Sequence, residues 1–315
     1  MLIFLGPLLV PGTVIAAPVS TNQGDPSPVL DPGTHWLDFW PIPLGILAMI
    51  IFLLLPDIGL KRARLKRWAW SPNAGLILFV LALLGGLMGA QIVAGIMGSE
   101  PVDLSQMDIR STVFRMLGGY VGQVVILLLV PGFILGLIRA RRNPVDMDRI
   151  PVSWWRGSIS GIGGLILFYP MVLLVSTVVG LVVMWVIGRS LPEMGHATLV
   201  QLQAAAETAD IWFVILLIMI AVATPVIEEI MYRGLLQEGI RRSLLTAGES
   251  PWMAIVITSI LFAIMHGAVV DVRGLFALFV LSLGFGWVYL KTGRLLASIV
   301  MHAGFNVINL VQVLA

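Results

Sequence analysis

The sequence contains no cysteine, which excludes disulfides, thiolate metal centres and a cysteine nucleophile together. It is also short of charge: Asp, Glu, Lys and Arg make up 11% of its 315 residues, where a soluble domain carries about 25%. Histidine is scarce, with four in the chain. The net charge of +2 leaves no nucleic-acid footprint, and the basic residues gather in short loops instead of covering one face. Apolar residues are what the chain has in excess: 58% of it is hydrophobic and its mean hydropathy is +0.99.

Continuous apolar runs succeed one another, without the ten-residue alternation of a membrane β-barrel. The expected fold is therefore all-α, a polytopic transmembrane bundle of about eight spans. These are placed near 41–55, 74–97, 113–138, 159–187, from 211 through 226 and on to 236–245, 251–267, 275–290 and 295–314. Met1 to Ala17 is apolar but broken by Pro7 and Pro11, and reads equally as a weak signal peptide or as an extra irregular segment. Lys61 to Arg67, Arg139 to Arg142, Arg241–Arg242 and Lys291–Arg294 fall in alternate connections, which puts those loops in the cytoplasm. Glu100, Asp103, Asp108, Glu193, Glu207 and Asp210 fall on the other side, and Asp271, Arg273 and Gly274 form a short turn there. His35 and His196 read as solvated loop residues, 201–208 as a short interfacial helix, and Gly85 and Gly89 as a packing face. Three regions result: 1–37, an N-terminal apolar segment and linker; 38–200, N-terminal transmembrane helices; and 201–315, a catalytic core.

Inside that apolar background Glu228 and Glu229 stand side by side, just after Pro225. Ionisable groups at bilayer depth persist only with partners or water, so they mark a functional site by default. Glu228 lies about 20 Å from Arg241–Arg242 along the helix, His266 about 21 Å from Trp252, and His302 and Asn306 about 12 and 18 Å from Arg294. Polar residues of three spans thus converge on one layer. Glu229 and Arg233 are four apart and can pair on one face, fixing the helix, while Glu228 points about 100° away and can face a cavity; that is the simplest division of roles, and periodicity alone leaves open which glutamate takes which. Phe262 shares a face with His266, and His302 with Asn306.

A buried glutamate beside a histidine is suited to general-base activation of water, and a second histidine with an asparagine donor to stabilising an oxyanion. Glu, His and His also form a zinc donor set, although the HExxH arrangement is absent. Ser259, Ser282 and Ser298 lie in spans but in no nucleophile-elbow pattern. Two readings outside proteolysis use the same residues: a proton-coupled transporter, and a membrane immunity scaffold that binds a partner peptide.

Three motifs carry a resemblance. Glu228-Glu229-Ile230-Met231-Tyr232-Arg233 resembles the EExxxR motif of the type II CAAX prenyl proteases and their bacterial bacteriocin-processing and abortive-infection (CPBP) relatives. Phe262 to His266 resembles that family's FxxxH motif, and His302 to Asn306 its HxxxN motif, in the same order. The resemblance covers roughly 210–315 and implies an intramembrane glutamic endopeptidase. By it, Glu228 and His266 activate water, His302 and Asn306 form the oxyanion hole, and Glu229, Arg233 and Phe262 support the site. It implies no cofactor, with zinc the alternative. The substrate would be a peptide or protein, prenylated in the eukaryotic members, met among membrane lipids. The bacterial relatives imply the plasma (inner) membrane, with the cavity toward the cytoplasm.

Overall fold

The computed structural model describes residues 40–55, 58, 60, 72–98, 108–129, 152–188, 202, 206, 210–245 and 249–314. Each expected apolar run is helical there, and no strand occurs among the described residues. The helices are α1 (Pro41–Leu54), α2 (Pro72–Ile96), α3 (Ile109–Leu129), α4 (Trp154–Ile187), α5 (211–245), α6 (Pro251–Met265), α7 (Val272–Thr292) and α8 (Leu295–Leu314). Six are long and apolar enough to cross a membrane, whereas α1 and α6 have 14 and 15 residues. The architecture is an all-α transmembrane bundle.

Helix starts follow the capping chemistry. Asp210 accepts from the Phe213 amide at 3.0 Å and opens α5, and Ser250 accepts from Trp252 at 3.3 Å before Pro251 opens α6. Three expected boundaries need correction. α3 begins at Ile109 instead of Val113, and α4 at Trp154 instead of Ile159. In α4, Ser158 and Ser160 lower the hydropathy without breaking the helix, because their hydroxyls donate back to the Trp154 and Arg156 carbonyls. The expected turn at Asp271, Arg273 and Gly274 is the first turn of α7: Asp271 accepts from the Gly274 amide at 2.9 Å and pairs with Arg273 at 2.7 Å.

Side-chain ties show which helix ends lie together. Trp252 at the start of α6 donates to the Ile58 carbonyl just beyond α1 at 2.7 Å. Arg294, between α7 and α8, donates to Val152 just before α4 at 2.6 Å, and Gly234 of α5 lies beside Leu295. Arg241 and Arg242 belong to this same end, so the eight helices alternate in direction as their hydropathy implies. The basic stretches 61–67 and 139–142 lie outside the described residues. So do 1–39 with His35, Glu100, Asp103, Glu193, His196, Glu207 and most of 201–208.

The antiparallel pair α2 and α3 is joined backbone to backbone. A Cβ on Gly85 would strike the Gly122 carbonyl, and one on Gly89 the Gly118 carbonyl. Apolar side chains gain little from leaving lipid, so close approach and its dispersion contacts hold such helices together. Gly85 and Gly89 are therefore a packing face, matched by Gly118 and Gly122.

Candidate active site in α5, α6 and α8

The fifth helix is not uniform. It runs as α-helix from Ile211–Ile218, widens to a π turn over Met219–Ala223, returns to α-helix over Thr224–Glu229, widens again over Ile230–Gln237 and ends as α-helix over Glu238–Leu245. The first widening accommodates Pro225. In the π pattern the Thr224 amide bonds to the Met219 carbonyl five residues back, so the next amide would bond to Ile220. That next residue is proline and has no N–H, which leaves the Ile220 carbonyl without its helical donor. Asn306 of α8 supplies one: its Nδ2 donates to the Ile220 oxygen at 2.8 Å.

Glu228 and Glu229 sit between the two π stretches, at 3% and 0% exposure. From the level where Gly234 meets Leu295, Glu228 is six residues back along α5 and His302 seven residues on along α8, about 9 and 10 Å at helical rise. The two motifs therefore meet at one depth.

Glu229 is held by two partners, one at each oxygen. Its Oε2 pairs with Arg233 Nε at 3.2 Å, and its Oε1 accepts from His302 Nδ1 at 3.0 Å. Arg233, fully buried, donates through Nη2 to the Ser282 hydroxyl at 2.8 Å and the Ser282 carbonyl at 3.0 Å. Its guanidinium lies 5.2 Å from the Phe262 ring centroid and 5.1 Å from that of Phe285. Glu229 thus fixes His302 as well as Arg233, a link the i,i+4 spacing did not reveal. Ser282 joins this assembly as Arg233's hydrogen-bond partner.

Glu228 faces both imidazoles. His266 Nε2 is 3.9 Å from its Oε1, and His302 Nε2 is 4.0 Å from its Oε2. The ring orientations have local causes. At the end of α6 the His266 amide turns to the Ala263 and Ile264 carbonyls, three and two residues back, and leaves the Phe262 carbonyl open. The His266 ring takes it: Nδ1–H donates to Phe262 at 2.7 Å, which leaves Nε2 with its lone pair toward Glu228. His302, anchored through Nδ1 on Glu229, likewise presents Nε2, and its ring stacks on Phe285 with centroids 4.6 Å apart and planes 22° apart. Phe262 is both core and wall: it is 1% exposed and touches Tyr232, His266, Phe285 and His302.

The structure thus brings Glu228, Glu229, Arg233, Phe262, His266 and His302 into one contact network, with Asn306 a turn beyond His302 and bonded to Ile220. Tyr232 is a packing residue, fully buried and edge-on to Phe79 of α2 at 5.3 Å. Asn309, a turn past Asn306, donates to the Phe305 carbonyl of its own helix at 2.8 Å. Among the described residues, no group of three His, Asp or Glu side chains is arranged to hold a metal ion.

Residues 210–308 match the family model described as type II CAAX prenyl endopeptidase Rce1-like. By this match the segment is similar to that endopeptidase family. The matched segment contains every residue of the three motifs. Neither curated proteins nor solved structures include a significant match to the chain.

One contact escaped the motifs entirely. Tyr120 of α3, outside the matched segment, lies 2.5 Å from the Thr224 hydroxyl, one turn before Glu228. A tyrosine and, three residues on, a glutamine in an apolar span were the sequence signal for it.

Proposed function

We propose that the chain is an intramembrane endopeptidase in which Glu228, with His266, activates the water that attacks the scissile carbonyl. The supporting observation is the placement of one imidazole Nε2 beside each oxygen of a single buried carboxylate. Oε1 of Glu228 and Nε2 of His266, 3.9 Å apart, are both acceptors, and a water donating to both is held with a lone pair free for attack. Attack moves one water proton to Glu228 and places negative charge on the carbonyl oxygen. His302 protonated at Nε2 donates to that oxyanion, with Glu229 fixing its ring. Asn306 has one amide N–H on Ile220 and presents its second to the same oxygen. Glu228 then returns its proton to the leaving amine, and no covalent intermediate forms.

The charge distribution favours a site opened toward the cytoplasm of a bacterial inner membrane, because Arg241, Arg242, Lys291 and Arg294 cluster at one end. An apolar groove of about 500 Å³ between α5 and α8, lined by Leu217, Ala221, Val307 and Leu310, begins beside Asn306 and suits an apolar or lipidated part of a substrate. In this reading the catalytic core is 201–315, and 38–200 supplies the helices packed around it.

The test is cleavage by the full chain in liposomes of a farnesylated CAAX peptide and of unmodified peptides. Wild type is compared with Glu228→Gln and His302→Ala, with and without a strong zinc chelator. Cleavage lost in both variants and unaffected by chelation is expected. Cleavage that survives Glu228→Gln overturns the assignment, and loss on chelation restored by zinc replaces it with a zinc mechanism built on the same Glu, His and His.

A further inference from the structure

Tyr120 reaches the site from a helix that the family match does not include. Its partner Thr224 is committed: the threonine hydroxyl donates to the Met219 carbonyl, five residues back, at 2.9 Å. The hydrogen in the 2.5 Å contact therefore belongs to Tyr120, whose phenol donates to Thr224 and keeps its oxygen lone pairs as acceptors. Thr224 and Glu228 are four apart on one face of α5, so the phenol oxygen stands about one helical turn from the carboxylate. The phenol is also within electrostatic reach of Glu228.

Further along α3, in the direction in which Glu228 follows Thr224, the same helix face carries Gln123. This residue is 1% exposed, and its Oε1 accepts no hydrogen bond among the described residues. A buried amide oxygen left so is costly unless something else completes it. The α3 face that meets Thr224 thus carries two acceptors in a row, Tyr120 and Gln123, about one helical turn from the carboxylate across which a hydrolase must hold a peptide. Extended peptide backbone presents N–H donors as well as carbonyls, and Asn306 and protonated His302, being donors, are suited to the carbonyls.

We infer that α3 is the substrate-registering wall of the site, with the Tyr120 phenol oxygen accepting a backbone N–H of the bound peptide and Gln123 Oε1 placed for a second. This rests on the protease reading given above. Tyr120 and Gln123 are substrate-binding residues here and take no proton in the reaction.

The experiment measures affinity, so that it does not depend on turnover. A farnesylated CAAX peptide is prepared with each backbone amide replaced in turn by an ester, which deletes one N–H. Binding is measured to Glu228→Gln in liposomes and to the same protein carrying Tyr120→Phe, which retains the ring. With the all-amide peptide, Tyr120→Phe is expected to weaken binding about 3- to 10-fold, the worth of one neutral hydrogen bond. At one ester position that loss should vanish, because the donor is already gone; Gln123→Met should behave the same way at a neighbouring position. Equal weakening at every ester position identifies a structural effect and overturns the inference, as does no weakening, or no binding of the peptide. Failure of the protease reading shows separately, as wild-type protein that cleaves nothing while the coupling between Tyr120 and one amide persists.

Discussion

Glu228 and Glu229 are neighbours in the chain and belong to different regions of the molecule. Glu229 looks into the core between α5, α7 and α8, with Arg233 and His302 on its two oxygens and no exposure. Glu228 looks toward α6 and α8, with each oxygen about 4 Å from an imidazole nitrogen, beyond the reach of a direct hydrogen bond. Two identical side chains one residue apart are made different by a rotation of about 100°. One is held by short bonds to Arg233 and His302, which is what a structural residue needs, and the other has an imidazole nitrogen near each of its oxygens.

The comparison breaks most sharply at Glu228. Glu228→Gln keeps the shape and removes the base, so cleavage should fall about 10²- to 10⁴-fold with the thermal midpoint in detergent near that of wild type. Glu229→Gln should do the opposite kind of damage. Stranding the buried Arg233 costs about 3–5 kcal/mol, read as a lowered midpoint, and because Glu229 also holds the His302 ring, the activity of the protein that still folds should fall as well, by less than in Glu228→Gln. Equal midpoints for the two variants would show that their surroundings do not differ as described.

A smaller effect sharpens the boundary between the regions. Asn306→Ala leaves the Ile220 carbonyl without a donor and should cost about 1–3 kcal/mol. Pro225→Ala restores an amide at the position that lacks one, so the double variant should be more stable than Asn306→Ala alone. If it is not, the proline and the asparagine are not linked through Ile220. Smallest of all, Asp210→Ala removes a helix cap far from either carboxylate and should cost about 1 kcal/mol without changing the kinetics of the folded protein.

The eight helices were readable because long apolar runs have few alternatives in a membrane, and the errors fell where polar residues fit inside a helix. Ser158 and Ser160 hid the first turn of α4, and Arg273 hid that of α7 behind its pairing with Asp271. The motif residues converged as helix arithmetic predicted, since depth depends mainly on residue count. Partner identity did not follow from it. Glu229 touches His302 across 73 positions of sequence and Tyr120 touches Thr224 across 104, and no periodicity within one helix encodes such contacts. The π turns were equally hidden, although Pro225 announced that some carbonyl near 220 would need a donor from elsewhere.

The widened turn at Met219–Ala223 holds one residue more than a regular helical turn. Chain length is therefore adjustable at this place: a one-residue deletion there lets the turn close to α-helix, with Phe213 and Leu216 of the segment before it and Glu228 of the segment after it still on their own faces. The same deletion within Ile211–Ile218, which has no residue to spare, turns what precedes it by about 100°. A slip of one residue is thus absorbed or ruinous according to the turn in which it falls.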